Sequence, residues 1–216
     1  STKSFAIAAD ELGKMVYYNH SEKMLYVLAE GTLYQIDLDK NKQETLAESL
    51  TEEQYTVSDD GRLMAYQSDD SASTIQVMNL ESGDSYEVKA KDGETIRPLG
   101  FIHSDFVCGR IRSEDAGQTA SGEEITPMYA VEILNSKNKK VAEYSFTDSD
   151  IYTTDILIDG NLLTLNRVEK KGSVYSSTEQ EYITNNEERK ETTVSVETYS
   201  TERMQRQVRI TFADAA

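Results

Sequence analysis

The chain has two imidazoles, His20 and His103, either of which could serve a hydrolase as general base. Serine hydrolysis needs a nucleophile, a base and an orienting acid meeting at one point. His103-Ser104-Asp105 holds all three types side by side. Consecutive residues on an extended chain point to opposite faces, so this run does not converge. It reads as a turn ahead of a strand. There is no Gly-x-Ser-x-Gly elbow. We therefore expect no catalytic residue in this chain.

Metal and cofactor chemistry are read the same way. One Cys and two His, at 20, 103 and 108, form no zinc spacing. Asp37-Leu38-Asp39-Lys40-Asn41 sets oxygens at alternate positions, and Glu48 stands twelfth from Asp37. A calcium loop of that kind wants Gly sixth, where this chain has Lys42. These acids, with Asp69-Asp70, Asp148 and Asp150, read as turn residues. No Gly-rich loop cradles a phosphate; Gly100 and Gly109 only flank a strand. We expect no metal, no cofactor and no assigned site residues. Cys108, in Phe106-Val107-Cys108, reads as a buried thiol. Lys139-Lys140 and Lys170-Lys171 read as hairpin tips, and Glu187 to Glu191 as a solvated element. Tyr17, Tyr18, Tyr26, Tyr34, Tyr55 and Tyr66 are expected mostly in strands. The insertion from Ser113 to Glu124 is read as a disordered surface loop, although such insertions often carry function.

Short strands with polar turns must position these residues. Runs such as Leu63 to Gln67 and Thr74 to Met78 lie between turn signals Asp60-Gly61, Ser82-Gly83, Asp92-Gly93 and Asp159-Gly160. Helix-period segments are scarce, at Ala9 to Lys14 and Thr178 to Lys190. The 216 residues carry a net charge of −17. That excess of acid argues against nucleic acid and against a basic membrane-surface module. No apolar run approaches the ~20 residues that cross a bilayer. The single cysteine excludes an intrachain disulfide and fits the cytosol as well as many secreted bacterial proteins. No leader is visible ahead of the body, and the start at Ser1 suggests a mature form or an excised domain.

Two motifs recur in order. The first is a turn followed by an apolar strand: Ser21 to Tyr26, Asp60 to Tyr66, Ser104 to Gly109, and Asp159 to Leu165. Its ends are 40, 43 and 56 residues apart (26 to 66, 66 to 109, 109 to 165). The second is strand, polar turn, strand: Leu33 to Lys42, Ile75 to Asp84, and Tyr129 to Asn138. A period of about 40 to 45 residues with about four strands per unit marks a β-propeller. A four-stranded sheet has two faces, and one unit cannot bury both, so units must stack. The fold class expected is all-β, with about four antiparallel blades at 10–50, 51–92, 93–146 and 147–216. Four blades are few, so a part-propeller, or a ring closed by a second copy, is expected. Ser1 to Ala9 and Thr192 to Phe212 would help cover its faces; two alternating runs within the latter, Thr193 to Tyr199 and Gln207 to Phe212, would form a hairpin.

The second unit, Tyr55-Thr56-Val57-Ser58-Asp59-Asp60-Gly61-Arg62-Leu63-Met64-Ala65-Tyr66 followed by Ile75-Gln76-Val77-Met78-Asn79-Leu80-Glu81-Ser82-Gly83, resembles a TolB-type propeller repeat. Asp59 stands where that family often has proline. The resemblance covers roughly residues 15–168 and fades in the fourth unit. The stretch from Arg97 onward also resembles parts of uncharacterised envelope-anchored bacterial proteins. The TolB-like resemblance implies a non-catalytic extracytoplasmic binding or scaffold module, in the bacterial envelope or secreted. Its partner would be another protein or further domains of the parent chain, with a homodimer as a further expectation. Other members are gating domains before serine peptidases, which is the alternative reading. The additional α/β domain of periplasmic TolB has no room here.

Overall fold

The structure is a computed structural model and describes residues 15–184, 194–200 and 206–212. It divides into two compact units: Ser1–Cys108 with Ile133–Val141, and Gly109–Glu132 with Ala142–Ala216.

In the first unit the chain folds into propeller-type sheets. β1 (Met15–Asn19), β2 (Met24–Ala29), β3 (Thr32–Asp37) and β4 (Lys42–Ala47) pair in chain order as one antiparallel meander. β5 (Tyr55–Val57), β6 (Leu63–Gln67), β7 (Thr74–Asn79) and β8 (Ser85–Lys89) form a second. β9 (Glu94–Ile102) then pairs with β10 (Asp105–Arg112), of which residues up to Cys108 belong to this unit.

The turns show why the motifs recur. Each first-motif turn of this unit places one residue in the left-handed region: Lys23 (φ 52°), Gly61 (φ 71°) and His103 (φ 56°). Each second motif places an Asx side chain at the end of a strand, where it holds the turn. Asp37 Oδ1 accepts from the Lys40 N–H at 2.8 Å. Asn79 Oδ1 accepts from Glu81 and Ser82 at 3.0 and 3.1 Å. Asn135 Oδ1 accepts from Lys137 and Lys139 at 3.0 and 3.1 Å. Asx side chains mimic a backbone turn in this way.

Strand alternation sorts the middle sheet's side chains between two cores. From β6 and β7, Met64, Tyr66 and Met78, with Leu80 just beyond, pack with Met15, Tyr26, Leu28 and Leu33 of the first sheet. Ala65, Ile75 and Val77, with Val88 of β8, pack with Ile96, Phe106, Cys108 and Leu134. The intervening residues thus face opposite neighbours, as stacking requires. Side-chain straps reinforce the steps. Asn19 Nδ2 donates to the Leu80 and Glu81 carbonyls at 3.0 and 2.9 Å. Gln67 Nε2 donates to the Ile96 carbonyl at 2.8 Å. Asn138 Nδ2 reaches the Glu87 carbonyl at 2.9 Å.

The second unit holds the rest of β10, then β11 (Gly117–Thr119), β12 (Glu124–Ile125) and most of β13 (Met128–Leu134). β14 (Lys140–Tyr144) enters it at Ala142 and is followed by β15 (Ile151–Asp159), β16 (Leu162–Lys171), β17 (Val174–Ser177) and β18 (Glu181–Thr184). β19 (Val194–Ser200) and β20 (Arg206–Phe212) form an antiparallel pair. Within this unit the order is β12-β11-β17-β16-β15-β13, with β18 joining β16 and β20.

This unit departs from the expected meander. β11 pairs with β17 in parallel, and so does β18 with β20. The expected helix at Thr178 to Lys190 is a strand at 181–184, because alternating Glu181 and Ile183 are both buried there. Residues 185–190 of that stretch, and the one at Ala9 to Lys14, lie outside the described residues, as do Ser1 to Ala9 and residues 201–205 of the expected hairpin. Gly100 and Gly109 do not flank a strand; they sit inside β9 and β10.

Candidate functional site

The insertion at 113–124 is the main correction. It is not a disordered loop. A 3-10 turn at Ser113–Asp115 leads into β11, and a tight turn returns it as β12. One buried residue organises it. Asp115 is 5% exposed. Its carboxylate accepts from Arg112 Nε at 2.9 Å and lies 3.8 Å from Lys170 Nζ. Its backbone carbonyl accepts from the Tyr175 hydroxyl at 2.5 Å. The Arg112 guanidinium lies 4.2 Å over the Tyr129 ring. Lys170 Nζ is 5.6 and 5.4 Å from the rings of Tyr152 and Tyr175, which meet edge to face at 5.6 Å. Cations over aromatic faces gain from the ring quadrupole.

The electrostatics follow from this packing. Burial pushes the Tyr175 hydroxyl up to about 12, and the Asp115 charge adds to the rise. Burial also raises Tyr152, helped by the charge and hydrogen bond of Asp115. Burial would lower Arg112, but its hydrogen bond and charge pairing with Asp115 outweigh that and raise it. At neutral pH the two phenols are protonated donors and not bases. Chemically, the cluster can hold the insertion in place.

Gly117 shows how close the fit is. A Cβ there would lie 2.7 Å from the Ser173 carbonyl oxygen and 2.8 Å from Tyr175 Cε2. Only glycine lets β11 approach β17. Beside this contact is an open cavity of about 490 Å³, lined by Gly117, Gln118, Glu124, Ile125, Thr126 and Ser173 among others. Lys170, read as a hairpin tip, instead turns inward to Asp115, its side chain 20% exposed. Nothing in the sequence marks that inward turn, because only tertiary packing brings 115, 152, 170 and 175 together.

The other residues singled out in the sequence are not gathered. His103 and Ser104 make the β9–β10 turn, while Asp105 begins β10 and is buried. His20 is exposed and meets Tyr18 edge-on at 4.4 Å. Cys108 is fully buried. Asp37 and Asp39 face lysines, Lys40 and Lys23, each at 2.9 Å. Asp69 accepts from the Ser73 and Thr74 amides and from Ser71 and Ser73 hydroxyls. Asp150 takes the left-handed conformation after a 3-10 turn. Tyr26 and Tyr66 are core, Tyr17 and Tyr55 pack beside them, and Tyr18 is 37% exposed. Among the described residues no group of three or more His, Cys, Asp or Glu could hold a metal, and no helix is long and apolar enough to cross a membrane.

No protein-family model matches the chain, and no curated protein does. Among solved structures it is similar to U3-55K and to the RRP9 WD40 repeats. Each is 10% identical with a TM-score of 0.35, over 70% of this chain and 44% of theirs. It is also similar to the beta-propeller domain of Myceliophteria thermophila Cps50 (Swd1), 14% identical with a TM-score of 0.26, over 73% of this chain and 65% of that one. The chain thus spans less than two thirds of each. Scores of this size decide nothing by themselves. The all-β, part-propeller assignment rests on the stacked four-stranded sheets.

Proposed function

We propose that this chain is a non-catalytic binding or scaffold module of the TolB-like propeller type, working outside the cytoplasm on a protein partner. Its blades would run 10–50, 51–92, 93–146 and 147–216. One observation carries the binding role: the 113–125 insertion is locked into the sheet by Asp115, Tyr175 and Gly117. A loop ordered beforehand loses less entropy on binding. The repeat resemblance supports the TolB-like and extracytoplasmic parts of the reading.

The test replaces residues 117–125 by a short Gly-containing turn and compares both proteins in photo-crosslinking in the source cell, after fractionation. One reproducible protein adduct, found outside the cytoplasm and lost in the replacement with unchanged circular dichroism, is the expected result. An adduct retained by the replacement overturns the role of the insertion. Hydrolysis of peptides or glycosides by the purified chain overturns the non-catalytic reading.

A further inference from the structure

The first sheet has a second face. Its register sets cross-strand rows that alternate between the two sides. The rows Met15-Leu28-Leu33-Ala47 and Tyr17-Tyr26-Gln35-Glu44 turn toward the β5–β8 core. The rows Val16-Val27-Tyr34-Thr45 and Tyr18-Leu25-Ile36-Gln43 turn the other way. None of those eight side chains is charged, in a chain that is 28% charged. Val16 is 53% exposed, and Leu38, continuing the same side, is 49% exposed. Elsewhere in this unit, the apolar sheet faces pack against another sheet.

The size of the face limits what covers it. Four strands about 4.8 Å apart and five residues long give a footprint of about 300 Å². A stable association of separate chains needs about 800 Å² on each side. A second copy would also bring another −17 of charge. A tethered segment needs far less area, because its effective concentration is already high. Residues 1–14 lie outside the described structure and end directly at Met15, the first residue of the edge strand. They contain one apolar run of five, Phe5-Ala6-Ile7-Ala8-Ala9. Five extended residues reach about 17 Å, the length of the face, and the five from Asp10 to Lys14 allow the same reach across it.

We propose that Phe5–Ala9 is the cover of the Val16, Tyr18, Leu25, Val27, Tyr34 and Ile36 face. The chain would thereby seal its own outermost sheet and leave the insertion as the surface for partners.

The test uses the full chain with Ile7→Cys and Ile36→Cys; the native Cys108 is fully buried and stays out of the reaction. The same pair is made in a background carrying Phe5→Asp and Ala9→Asp. Both are oxidised at several protein concentrations. The expected result is an intramolecular disulfide whose rate is independent of concentration and about tenfold slower in the Asp background, where docking is lost. Equal rates in the two backgrounds, or disulfide-linked dimers, overturn the proposal. A second reading uses the absence of Trp. Tyr18→Trp gives a single emitter on the face, and Phe5→Asp with Ile7→Asp should shift its emission to the red. An unchanged emission with intact circular dichroism overturns the proposal as well.

Discussion

Replacing Asn19 by alanine separates the strap between two sheets from the turn it also holds. Asn19 is 3% exposed. Its amide nitrogen donates to the Leu80 and Glu81 carbonyls, and its oxygen accepts from the Ser21 and Glu22 amides. Each lost bond costs a net ~1 kcal/mol, and an acceptor left unpaired in dry surroundings costs about 1–2 kcal/mol more. The Leu80 carbonyl is such an acceptor, on a residue with no exposed surface. The Ser21 and Glu22 amides belong to exposed residues and return to water at little cost. Together these give about 3 kcal/mol for Asn19→Ala. Asn79 holds a comparable Asx turn between β7 and β8 but straps no neighbouring sheet among the described residues. Asn79→Ala should therefore cost only about 0.5–1 kcal/mol. Urea unfolding followed by circular dichroism and tyrosine fluorescence measures both. With a slope of about 2 kcal/mol per molar, the Asn19 midpoint should fall by roughly 1.5 M. Costs for the two variants within about 0.5 kcal/mol of each other would refute the strap reasoning.

Two further outcomes follow from the insertion. Gly117→Ala should destabilise by about 2 kcal/mol, since its new methyl meets backbone and a buried ring. Hydrogen exchange should show protection lost in β11 and β17, and unchanged protection in both strands would count against the close approach. Tyr175 titrates higher folded, at about 12, than its ordinary 10.0. Its contribution is therefore complete below pH 10 and is lost as the pH rises toward 12. Tyr175→Phe should flatten the fall in unfolding free energy across that window, and an unchanged slope would count against burial as the cause.

Much of the first unit was legible in the sequence. Turn chemistry is local: a left-handed position wants Gly, Asn or a tolerant residue, and an Asx side chain closes its own turn. Asp60-Gly61 and the Asp37, Asn79 and Asn135 series announced themselves for that reason. The recurring strand-turn units told that sheets must stack, since one four-stranded unit cannot bury both its faces. The insertion was not legible. Its short runs lack alternation, and its polar turn at Thr119 to Glu123 looks like any loop.

Sequence alone determined that this is an all-β chain built from repeated strand-turn units, because turn preference and period-two patterning act over a few residues. Only the tertiary structure decided which faces meet and where Asp115 lies. The parallel pairing of β11 with β17, and the gathering of Arg112, Tyr152, Lys170 and Tyr175 around one carboxylate, join residues up to about sixty positions apart. Such contacts depend on desolvation and shape at distant points of the chain. No local preference encodes them, and they emerge when the sheets pack.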